Sequence, residues 1–379
     1  MNKSLRVASI VLNDFRNDNR VLKVCKTLLK EGHSVEVGCL HRPGLALSGN
    51  QHGVPFQRVK LLSYPLSYAF SPIKFLEFAL KLRWRYRDRD VWIANDFEAL
   101  MAYDVAKKLG LKAKLIYDSH EYQSHIESVK SNKRRKFIQN NERRILQKST
   151  PVFNVSPGIV EAYRDLYELE NQRLLMNLPE YRPRFTSGNK FRSKFGISSD
   201  TTIFLYQGKM TPHRGLEEIM EAFIQLKGAN IALVLMGFGE LVEEVKKLST
   251  ENPHIFYHPA VGINELIDYT SSADWGISNL QNTCLNHYHS LPNKIFEYVQ
   301  AGVPILASSM RDSTELIEKY GVGTIMKSND VNDIKRAILE ATKKDAASLR
   351  KNLREAGKEL IWEKQEYKIR EALESLNLT

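Results

Sequence analysis

The chain alternates short β-prone runs with amphipathic helices along most of its length. In the first half we predict strands at residues 6–12, 35–39, 57–61, 91–94, 115–118 and 152–155. The second half starts a new series, with strands at residues 202–207, 232–236, 255–258, 275–278 and 305–308. A strand followed by a helix, repeated, is typical of a parallel doubly wound sheet. The two series therefore predict an α/β protein with two such sheets, one in each half.

Length and a break in periodicity indicate where the halves divide. At 379 residues the chain is too long for one ordinary hydrophobic core. Residues 177–190 contain Pro179, Pro183 and Gly188 and show no periodicity, which indicates a hinge. We therefore predict a first domain at residues 1–178 and a second at residues 179–358.

Composition is typical of a globular protein of a reducing compartment. Hydrophobic residues make up 42% of the chain, and no segment approaches the roughly 20 apolar residues of a membrane span. The first residues, MNKSLRVASIVLNDF, indicate a first strand and not a signal peptide. Cys25, Cys39 and Cys284 lack the spacing of disulfides or metal ligands. We expect them to be buried structural thiols in the cytoplasm.

Positive charge is concentrated in the first half. The net charge is +11, and residues 74–148 hold 18 Lys and Arg against 10 Asp and Glu. Within them FLEFALKLRW, from Phe75 to Trp84, is apolar and aromatic at helical spacing and runs into an arginine-rich stretch. Such a helix is typical of an interfacial segment on an anionic membrane, and less typical of a nucleic-acid surface. A core-facing helix with a solvated polar face is the alternative that the pattern leaves open.

Ligands of doubly wound sheets bind at the carboxyl ends of the strands, so the loops at those ends are the candidate site. After the first strand of the second half come Gly208, Lys209 and, five residues later, Arg214, before a helix. Two cations in a glycine-bounded loop at a helix N-terminus predict a diphosphate clamp. Gly237 and Gly239 follow the next strand and would let the backbone pass close to a ligand, although simple turns use glycine as well.

The segment SLPNKIFEYVQAGVPILAS, residues 290–308, combines a helix start with two charged side chains. Pro292 suits the first turn of a helix, and a glycine and a proline further on end it. Lys294 and Glu297 are three residues apart, so they share a face and point toward one cavity. An anion at the helix start and hydroxyls near the carboxylate would suit a sugar nucleotide. A surface helix with an i,i+3 ion pair explains the same residues equally well.

Together these segments resemble a known family. YQGKMTPHRGLEEIMEAF, VLMGFGE and SLPNKIFEYVQAGVPILAS, in that order and spacing, are similar to the donor-binding domain of the family 4 glycosyltransferases, which have the GT-B fold. NDFRNDNRVLKVCKTLLKEGHSVEV, IYDSHEY and NVSPGIVEAY resemble the acceptor-side domain of bacterial members. The resemblance implies two Rossmann-like doubly wound domains that face each other across a cleft. It also implies a C-terminal helix, residues 359–379, that crosses back to the first domain.

The resemblance implies a chemistry as well: retaining transfer of a sugar from a UDP- or GDP-sugar to a hydroxyl, with no metal or other cofactor. Lys209 and Arg214 match the basic pair that holds the diphosphate, and Glu297 matches the acidic residue that holds the ribose. Fixed cations and a helix N-terminus can stabilise the charge that develops on the leaving diphosphate in place of Mg²⁺. Where many members have a second glutamate, this chain has His289. The implied donor-binding residues are Gly208, Gly237, Gly239, His289, Ser290, Leu291, Asn293, Lys294 and Glu297.

On the acceptor side the resemblance implies a further set of residues in the first half. His120 matches a histidine that in the family lies against the transferred sugar, so His120, Lys209 and Arg214 form the implied catalytic set. The other candidates on this side are Asp14, Arg16, Arg20, Asp96 and Glu121, and Asp96 and Glu98 are both candidates to receive the acceptor proton. Asp18 or Asn19 would cap the first helix. We do not interpret the Asp88-X-Asp90 pair, which lies in an arginine-rich stretch, as a metal site.

We therefore predict a cytoplasmic glycosyltransferase, peripheral on the inner face of the membrane, that acts on a lipid-linked or lipopolysaccharide-like acceptor and not on nucleic acid. Two alternatives remain open. A sugar-nucleotide 2-epimerase of the same fold would release an altered sugar with no acceptor present. A non-enzymatic basic protein would bind membrane or nucleic acid in a salt-sensitive way and would turn over no nucleotide sugar.

Overall fold

The computed structural model describes residues 4–63, 71–181, 188–212 and 214–378. Within them the chain forms two compact units. Unit 1 contains the residues up to Asn177 and those from Gln365 onward, and unit 2 is Leu178–Lys364. The sequence-based boundaries, after residues 178 and 358, lie one and six residues from these. Part of the predicted hinge, residues 182–187, lies outside the described residues.

Unit 1 is built around one sheet. Its strands are β1 (Arg6–Ile10), β2 (Ser34–Leu40), β3 (Ser48–Gln51), β4 (Val54–Val59), β5 (Val91–Asn95), β6 (Lys114–Ser119), β7 (Val152–Asn154) and β8 (Gln172–Leu174). Its helices up to residue 177 are α1 (Asn19–Lys30), α2 (Ser71–Arg85), α3 (Asp96–Lys108), α4 (Asn132–Ile145) and α5 (Pro157–Tyr167). The strand order is β3-β4-β2-β1-β5-β6-β7-β8, and every neighbouring pair is parallel except β3 with β4.

Burial explains why the central strands of unit 1 form. The whole of β5 is buried, as expected for a strand that is covered by helices on both faces. Helix α1 begins where Asp18 accepts a hydrogen bond from the Val21 backbone N–H at 3.1 Å, which confirms the predicted cap.

The chain runs from β1 to one side of the sheet and returns to the other side at β5. The carboxyl ends of β1 and β5 therefore form the topological switch point, where such sheets bind ligands.

Unit 2 has a second sheet, which is entirely parallel. Its strands are β9 (Thr202–Lys209), β10 (Ile231–Phe238), β11 (Ile255–Pro259), β12 (Trp275–Ser278), β13 (Ile305–Ser308) and β14 (Gly323–Met326). Its helices are α6 (Lys190–Phe195), α7 (Leu216–Gln225), α8 (Val242–Glu251), α9 (Ile263–Thr270), α10 (Leu285–Tyr288), α11 (Asn293–Gln300), α12 (Arg311–Tyr320), α13 (Val331–Ala341) and α14 (Ala346–Glu359). The order β11-β10-β9-β12-β13-β14 places the switch point between β9 and β12.

The C-terminal segment returns to unit 1, but not as the single helix predicted for residues 359–379. After a 3₁₀ turn at Trp362–Lys364 the chain forms one short helix, α15 (Tyr367–Glu374). Glu366 accepts hydrogen bonds from the side chains of Thr27 and Lys30 on α1, at 3.1 and 2.8 Å. Polar contacts with α1 therefore hold the returning segment in unit 1.

The predicted strands are present in both sheets, with one shifted and three missed. The strand predicted at residues 57–61 is β4, which begins three residues earlier and includes Pro55. Its ladder with β2 starts at Phe56, so the missing N–H of Pro55 leaves no bond unmade on that side. The missed strands β3, β8 and β14 have three or four residues each, too few for a periodic signal.

Candidate active site

The strands β9 and β10 end together, at a point where the backbones are unusually close. Gly237 pairs with Gly208 in the ladder, and a Cβ on Gly237 would stand 1.8 Å from the Gly208 carbonyl oxygen. A Cβ on Gly239 would stand 2.3 Å from the Met210 carbonyl oxygen. Gly208 itself has φ of +116°, which favours glycine. These glycines are thus required by the contact between the two strand ends, and their predicted contact with a ligand remains a prediction.

Two exposed cations lie at this edge, Lys209 as the last residue of β9 and Arg214 in the loop that follows. The side chains of Lys209 and Arg214 make no hydrogen bond or ion pair with any residue that the structure describes. Arg214 directly precedes Gly215, the N-cap residue of α7, which has φ of +64° and offers no capping side chain. The first N–H groups of α7 are therefore open to an anion, as the predicted diphosphate clamp requires.

Helix α11 begins at Asn293, one residue later than predicted, and Pro292 is its N-cap and not part of its first turn. Pro292 has ψ of 137°, an extended value, so the helical geometry starts after it. No side chain caps this helix start. The N-terminus of α11 thus presents a second set of backbone N–H groups at the same edge of the sheet.

Lys294 brings a third cation to this edge. Its Nζ lies 3.8 Å from the centroid of the Tyr206 ring, a cation–π contact. Burial and, to a smaller extent, the nearby Arg214 guanidinium lower the pKa of Lys294 to about 7, although Glu297 opposes the shift. A bound anion would relieve the repulsion from Arg214 and favour the charged lysine.

Glu297 is held by a chain of hydrogen bonds from the interior of unit 2. Gln207, the residue before Gly208, donates through Nε2 to the Glu297 carboxylate at 2.5 Å. The Thr270 hydroxyl donates to the other end of that amide, Gln207 Oε1, at 2.8 Å. Gln207 and Thr270 are buried, so they fix the orientation of the carboxylate. Sequence patterns did not identify either residue.

His289 and Ser290 each lie beside a polar group, which limits what else their side chains can contact. His289 Nδ1 is 3.7 Å from the carboxylate of Asp312, which is buried. The Ser290 hydroxyl donates to the His287 carbonyl oxygen at 2.8 Å, so its proton is already used. Leu291 is half-buried and Asn293 is exposed beside them, before and at the start of α11. The predicted donor-binding residues of this segment thus lie together, at the start of the same helix as Lys294 and Glu297.

Asn279 is a site residue that the sequence did not reveal. It follows β12 at the switch point, is 3% exposed, and donates through Nδ2 to the Gly215 carbonyl oxygen at 2.8 Å. A Cβ on Gly215 would stand 2.2 Å from that same nitrogen. Asn279 therefore fixes the start of α7 against β12. A polar residue directly after a strand was the signal that could have identified it.

In unit 1, His120 lies between two carboxylates at the ends of β5 and β6. Its Nδ1 is 3.4 Å from Asp96 and its Nε2 is 3.5 Å from Asp118. Burial would lower the pKa of His120, but the two carboxylates outweigh it and raise the pKa to about 9. Burial raises the pKa of Asp96 to about 6, against the opposing charge of His120. His120 is therefore charged at neutral pH, and Asp96 titrates in the range useful for a base.

Asp96 is held in place by its neighbours. Its carboxylate accepts hydrogen bonds from the His120 backbone N–H at 2.9 Å and from Gln123 Nε2 at 2.6 Å. Its φ of +65° is a strained value for a residue with a Cβ. Strain at a residue beside a switch point is a common property of functional sites.

Arg20 was predicted on the acceptor side, but the structure assigns it a different task. Its guanidinium is 4% exposed, donates to both oxygens of Asp118 and donates through Nη1 to the Leu175 carbonyl oxygen at 2.8 Å. Arg20 therefore orients Asp118, and through it His120, and each of its three guanidinium nitrogens already donates within unit 1. Burial opposes ionisation of Asp118, but Arg20 and His120 hold its pKa at about 2.

The remaining acceptor-side candidates are less buried. Asp14 forms ion pairs with Arg16 at 2.9 Å and with Arg42 at 3.4 Å, and its pKa is lowered mainly by the hydrogen bond from Arg16. Arg16 and Glu121 are exposed, at the carboxyl ends of β1 and β6. The structure places these residues along the same edge of the unit 1 sheet as His120.

A buried carboxyl lies under this edge and was not foreseen. Glu142, on α4, is fully buried and accepts hydrogen bonds from Tyr117 at 2.9 Å, Tyr163 at 2.7 Å and Tyr167 at 2.5 Å. The Tyr163 hydroxyl also lies 2.9 Å from that of Ser119, the residue before His120. Burial raises the pKa of Glu142 to about 7, although the three hydroxyls oppose the shift.

This buried acid makes the stability of unit 1 depend on pH. The folded state binds the proton of Glu142 more tightly than the unfolded state, so its favourable contribution is present below about pH 4.5 and is lost as pH rises through 7. The free energy of unfolding of Glu142→Gln, measured relative to that of the wild type, should rise by about 2–3 kcal/mol from pH 5 to pH 8. Urea denaturation at both pH values measures this. Glu161→Gln, at an exposed position on α5, is the control, and parallel pH curves for wild type and Glu142→Gln would contradict the expectation.

The basic segment of unit 1 exposes an apolar stripe. On α2, Ile73, Leu76, Leu80 and Trp84 are 52%, 48%, 42% and 67% exposed, at helical spacing, while Phe78 and other apolar residues face the core. The Arg87 guanidinium lies 5.5 Å from the centroid of the Trp84 indole. The helix therefore has two apolar faces, one packed and one open, so it is more than a core-facing helix with a polar exterior. In the part of the chain that the structure describes, no helix has the length and apolar character to cross a membrane.

Two smaller expectations are also tested. The Asp88 and Asp90 carboxylates both pair with Arg6, at 3.3 Å, so their side chains belong to a surface ion-pair cluster. Cys25 and Cys39 are buried as predicted, but Cys284 is only partly buried. It is the N-cap residue of the short α10, at the surface, and the prediction of a buried thiol there is wrong.

Two family models match the chain. The model described as a Glycosyl transferase 4-like domain matches residues 18–177, and the model described as Glycosyl transferases group 1 matches residues 188–360. Together they cover most of the chain. One curated relative is the lipopolysaccharide 1,2-N-acetylglucosaminetransferase of Salmonella typhimurium, 26% identical over 195 residues. That match covers 44% of this chain and 46% of the relative, so the chain spans less than half of the relative's length.

Solved structures resemble the chain over nearly its whole length. Sucrose-phosphate synthase from Thermosynechococcus elongatus has a TM-score of 0.79 at 17% identity, over 98% of this chain and 99% of that one. Anabaena HepE, solved in complex with UDP-glucose, has a TM-score of 0.77 at 15% identity, over 98% of this chain and 100% of that one. At these identities the likeness shows the fold, which is GT-B.

Proposed function

Because this chain belongs to the family 4 glycosyltransferases, we propose that it transfers a sugar from a UDP- or GDP-sugar to a hydroxyl of a lipid-linked or lipopolysaccharide-type glycan. The transfer retains the anomeric configuration and needs no metal. The observation that carries the proposal is the carboxyl edge of the unit 2 sheet, where three cations and two uncapped helix N-termini converge.

The charges at this edge suit a nucleoside diphosphate. Lys209 and Arg214 are exposed and unpaired among the described residues, so a ligand can contact both without first breaking an ion pair. A diphosphate that leaves the sugar gains negative charge, and preorganised cations and helix N-termini stabilise that charge more than the ground state. This support replaces the role that a divalent cation has in other transferases. Glu297, oriented by Gln207, binds the ribose hydroxyls.

Unit 1 supplies the residues for the sugar and the acceptor. His120, charged at neutral pH, donates hydrogen bonds to the transferred sugar, as the family resemblance implies. Asp96, with a pKa of about 6, receives the acceptor proton. Asp96 and Asp118 hold His120 in its charged form, and Arg20 keeps the Asp118 carboxylate in place.

The acceptor is a membrane glycolipid, and the protein works on the inner face of the cytoplasmic membrane. Support comes from the exposed apolar stripe on α2 within a segment of net positive charge, which is the composition of an interfacial helix. The lipopolysaccharide transferase that resembles this chain is consistent with such an acceptor.

Nucleotide binding tests the donor site directly. UDP and GDP are titrated calorimetrically into the wild type, Arg214→Ala and, as a control, Arg336→Ala, whose arginine pairs with Asp333 on the exposed face of α13. One of the two nucleotides should bind the wild type and Arg336→Ala with equal affinity. Arg214→Ala should lower that affinity by about tenfold or more, because it removes one charge-assisted hydrogen bond. The donor site is wrongly placed if neither nucleotide binds or if Arg214→Ala binds like the wild type.

Vesicle binding tests the membrane surface. Leu80→Glu and Trp84→Glu place a carboxylate on the open face of α2, which should reduce binding to vesicles of phosphatidylglycerol and phosphatidylcholine by about tenfold or more. Leu339→Glu, at an exposed leucine of α13 in unit 2, is the matched control. Sedimentation with vesicles measures the bound fraction. Equal binding of all three variants would show that α2 does not contact the membrane.

A further inference from the structure

A cavity lies at the opposite edge of the unit 2 sheet from Lys209. Its volume is about 250 Å³, and its wall includes Thr202 and Trp275, the first residues of β9 and β12, and Pro304, which directly precedes β13. Because the strands are parallel, their amino ends meet at this edge. Thr202 and Lys209 are at the two ends of β9, about 23 Å apart at the rise of an extended strand. The cavity is therefore separate from the donor-binding edge.

Positive side chains dominate the wall. Lys344, Arg350 and Arg354 all line the cavity, and none of their side chains makes a hydrogen bond or ion pair with a residue that the structure describes. Among the described lining residues the one acid is Asp274. Its carboxylate already accepts hydrogen bonds from Arg192 at 2.7 Å and from the Ile203 backbone N–H at 2.8 Å. The three cations thus have no counter-charge inside the cavity.

Helix ends reduce the positive charge but do not cancel it. The carboxyl ends of α11 and α13 reach the wall, at Ala301 and at Thr342. Each helix end carries about half a negative charge. Three full positive charges against two such ends leave about +2, the charge that a phosphomonoester dianion would neutralise.

The shape of the cavity favours a small soluble molecule. Its volume is several times the roughly 30 Å³ that one water occupies in the liquid, so it has room for more than a phosphate group alone. Its wall includes the hydroxyl residues Thr202 and Ser271 beside apolar Val303 and Leu349. None of the large apolar side chains that are exposed in the described part of the chain lines it. A membrane surface would need such side chains at the rim.

The two sides of the cavity are fixed to each other. Buried Gln300, the last residue of α11, donates through Nε2 to the Gly357 carbonyl oxygen of α14 at 2.8 Å. Arg350 and Arg354 are on the same helix, α14. The cations are thus attached to a wall that is already formed without a ligand.

We propose that this cavity is a second binding site, separate from the donor site, for a small phosphomonoester such as a phosphorylated monosaccharide, with Lys344, Arg350 and Arg354 contacting the phosphate.

Calorimetric titration of the full chain with glucose 6-phosphate, inorganic phosphate and glucose tests the proposal. Glucose 6-phosphate should bind more tightly than inorganic phosphate, and glucose should not bind. Arg350→Ala and Arg354→Ala should each lower the affinity for glucose 6-phosphate by about tenfold or more. Lys351→Ala removes a neighbouring exposed cation of α14 that does not line the cavity, and it should bind like the wild type. Lys209→Ala should also bind like the wild type, since it alters the other edge.

Each result that contradicts the proposal would indicate a different explanation. Binding that is lost in Lys209→Ala would assign the phosphate to the donor site, and equal weakening in Lys351→Ala would indicate a diffuse surface effect. Absence of binding to the wild type, or equal affinity for inorganic phosphate and glucose 6-phosphate, would overturn the proposed organic ligand. Binding to phosphatidic acid vesicles that weakens in Arg354→Ala would replace the soluble ligand by a lipid. Thermal unfolding of each variant establishes that it is folded, and the two arginine variants test the site independently.

Discussion

Arg20→Ala should lower the free energy of unfolding of unit 1 by about 3–5 kcal/mol, the range measured when one partner of a buried ion pair is removed. Asp118 is fully buried, and the substitution would remove the guanidinium that donates to both of its oxygens. Asp118 would then have to be desolvated without its main counter-charge or take up a proton. Urea denaturation at pH 7, followed by circular dichroism, measures the difference.

The matched control for this substitution is Lys30→Ala, which removes one partner of an exposed ion pair on the same helix. Lys30 pairs with Glu366 at 2.8 Å and is largely exposed, so Lys30→Ala should cost less than about 1 kcal/mol. The stabilising contribution of Asp118 is present above its unfolded pKa of about 3.8 and is lost as pH falls through its folded pKa of about 2. The difference between wild type and Arg20→Ala should therefore shrink as pH falls below 4. Similar losses in the Arg20 and Lys30 variants would show that burial of this pair has no special energetic role.

Lys209→Ala should lower kcat/KM for sugar transfer by about 10²–10³, the range seen when one group that stabilises transition-state charge is removed. The side chain is exposed and has no partner among the described residues, so the free energy of unfolding should change by no more than about 0.5 kcal/mol. Release of nucleoside diphosphate in the presence of acceptor measures the rate. Lys209→Arg keeps the charge, adds a bidentate donor and should retain most of the activity.

The comparison for this loss is Lys227→Ala, at an exposed lysine in the loop after α7, which should transfer at the wild-type rate. EDTA should leave the wild-type rate unchanged, because the proposed transfer uses protein cations in place of a metal. A Lys209→Ala enzyme with normal kcat/KM would remove this residue from the diphosphate site. A rate that EDTA abolishes would refute the metal-free reaction and leave the sugar transfer itself standing.

The sequence predicted which loops lie at the candidate donor edge because the signals within each loop are local. Gly208, Lys209, Arg214 and the start of α7 lie within a dozen residues, and parallel pairing places the loop after β10 at the same edge. The required close approach of Gly237 to Gly208 follows from the same register. What the pattern could not show is the direction of each side chain. Lys294 packs over Tyr206, which is 88 residues earlier in the chain.

Buried polar partners were the least predictable part. Glu142 is a charged residue in a strongly basic helix, and its sequence neighbours indicate a solvent-facing position. Its burial depends on three tyrosines from β6 and α5, and no local pattern links them to α4. Arg20 and Asp118 are likewise 98 residues apart and meet because β1 and β6 are separated by one strand in the sheet. Such contacts follow from strand order, which periodicity does not specify.

The discontinuity of unit 1 has a consequence for how the chain is made. Gln365 donates to the Met176 carbonyl oxygen, and Lys368 donates to that of Leu174 at 2.6 Å, so the edge beside β8 is completed by residues synthesised after unit 2. Residues 178–364 leave the ribosome between the two parts of unit 1, which takes roughly 10–40 s at 5–20 residues per second. During that interval the nascent first part has all eight strands described above but lacks α15, and unit 2 is complete at its end, before α15 has been made. Unit 2, although it is second in the sequence, is thus the first unit to be complete.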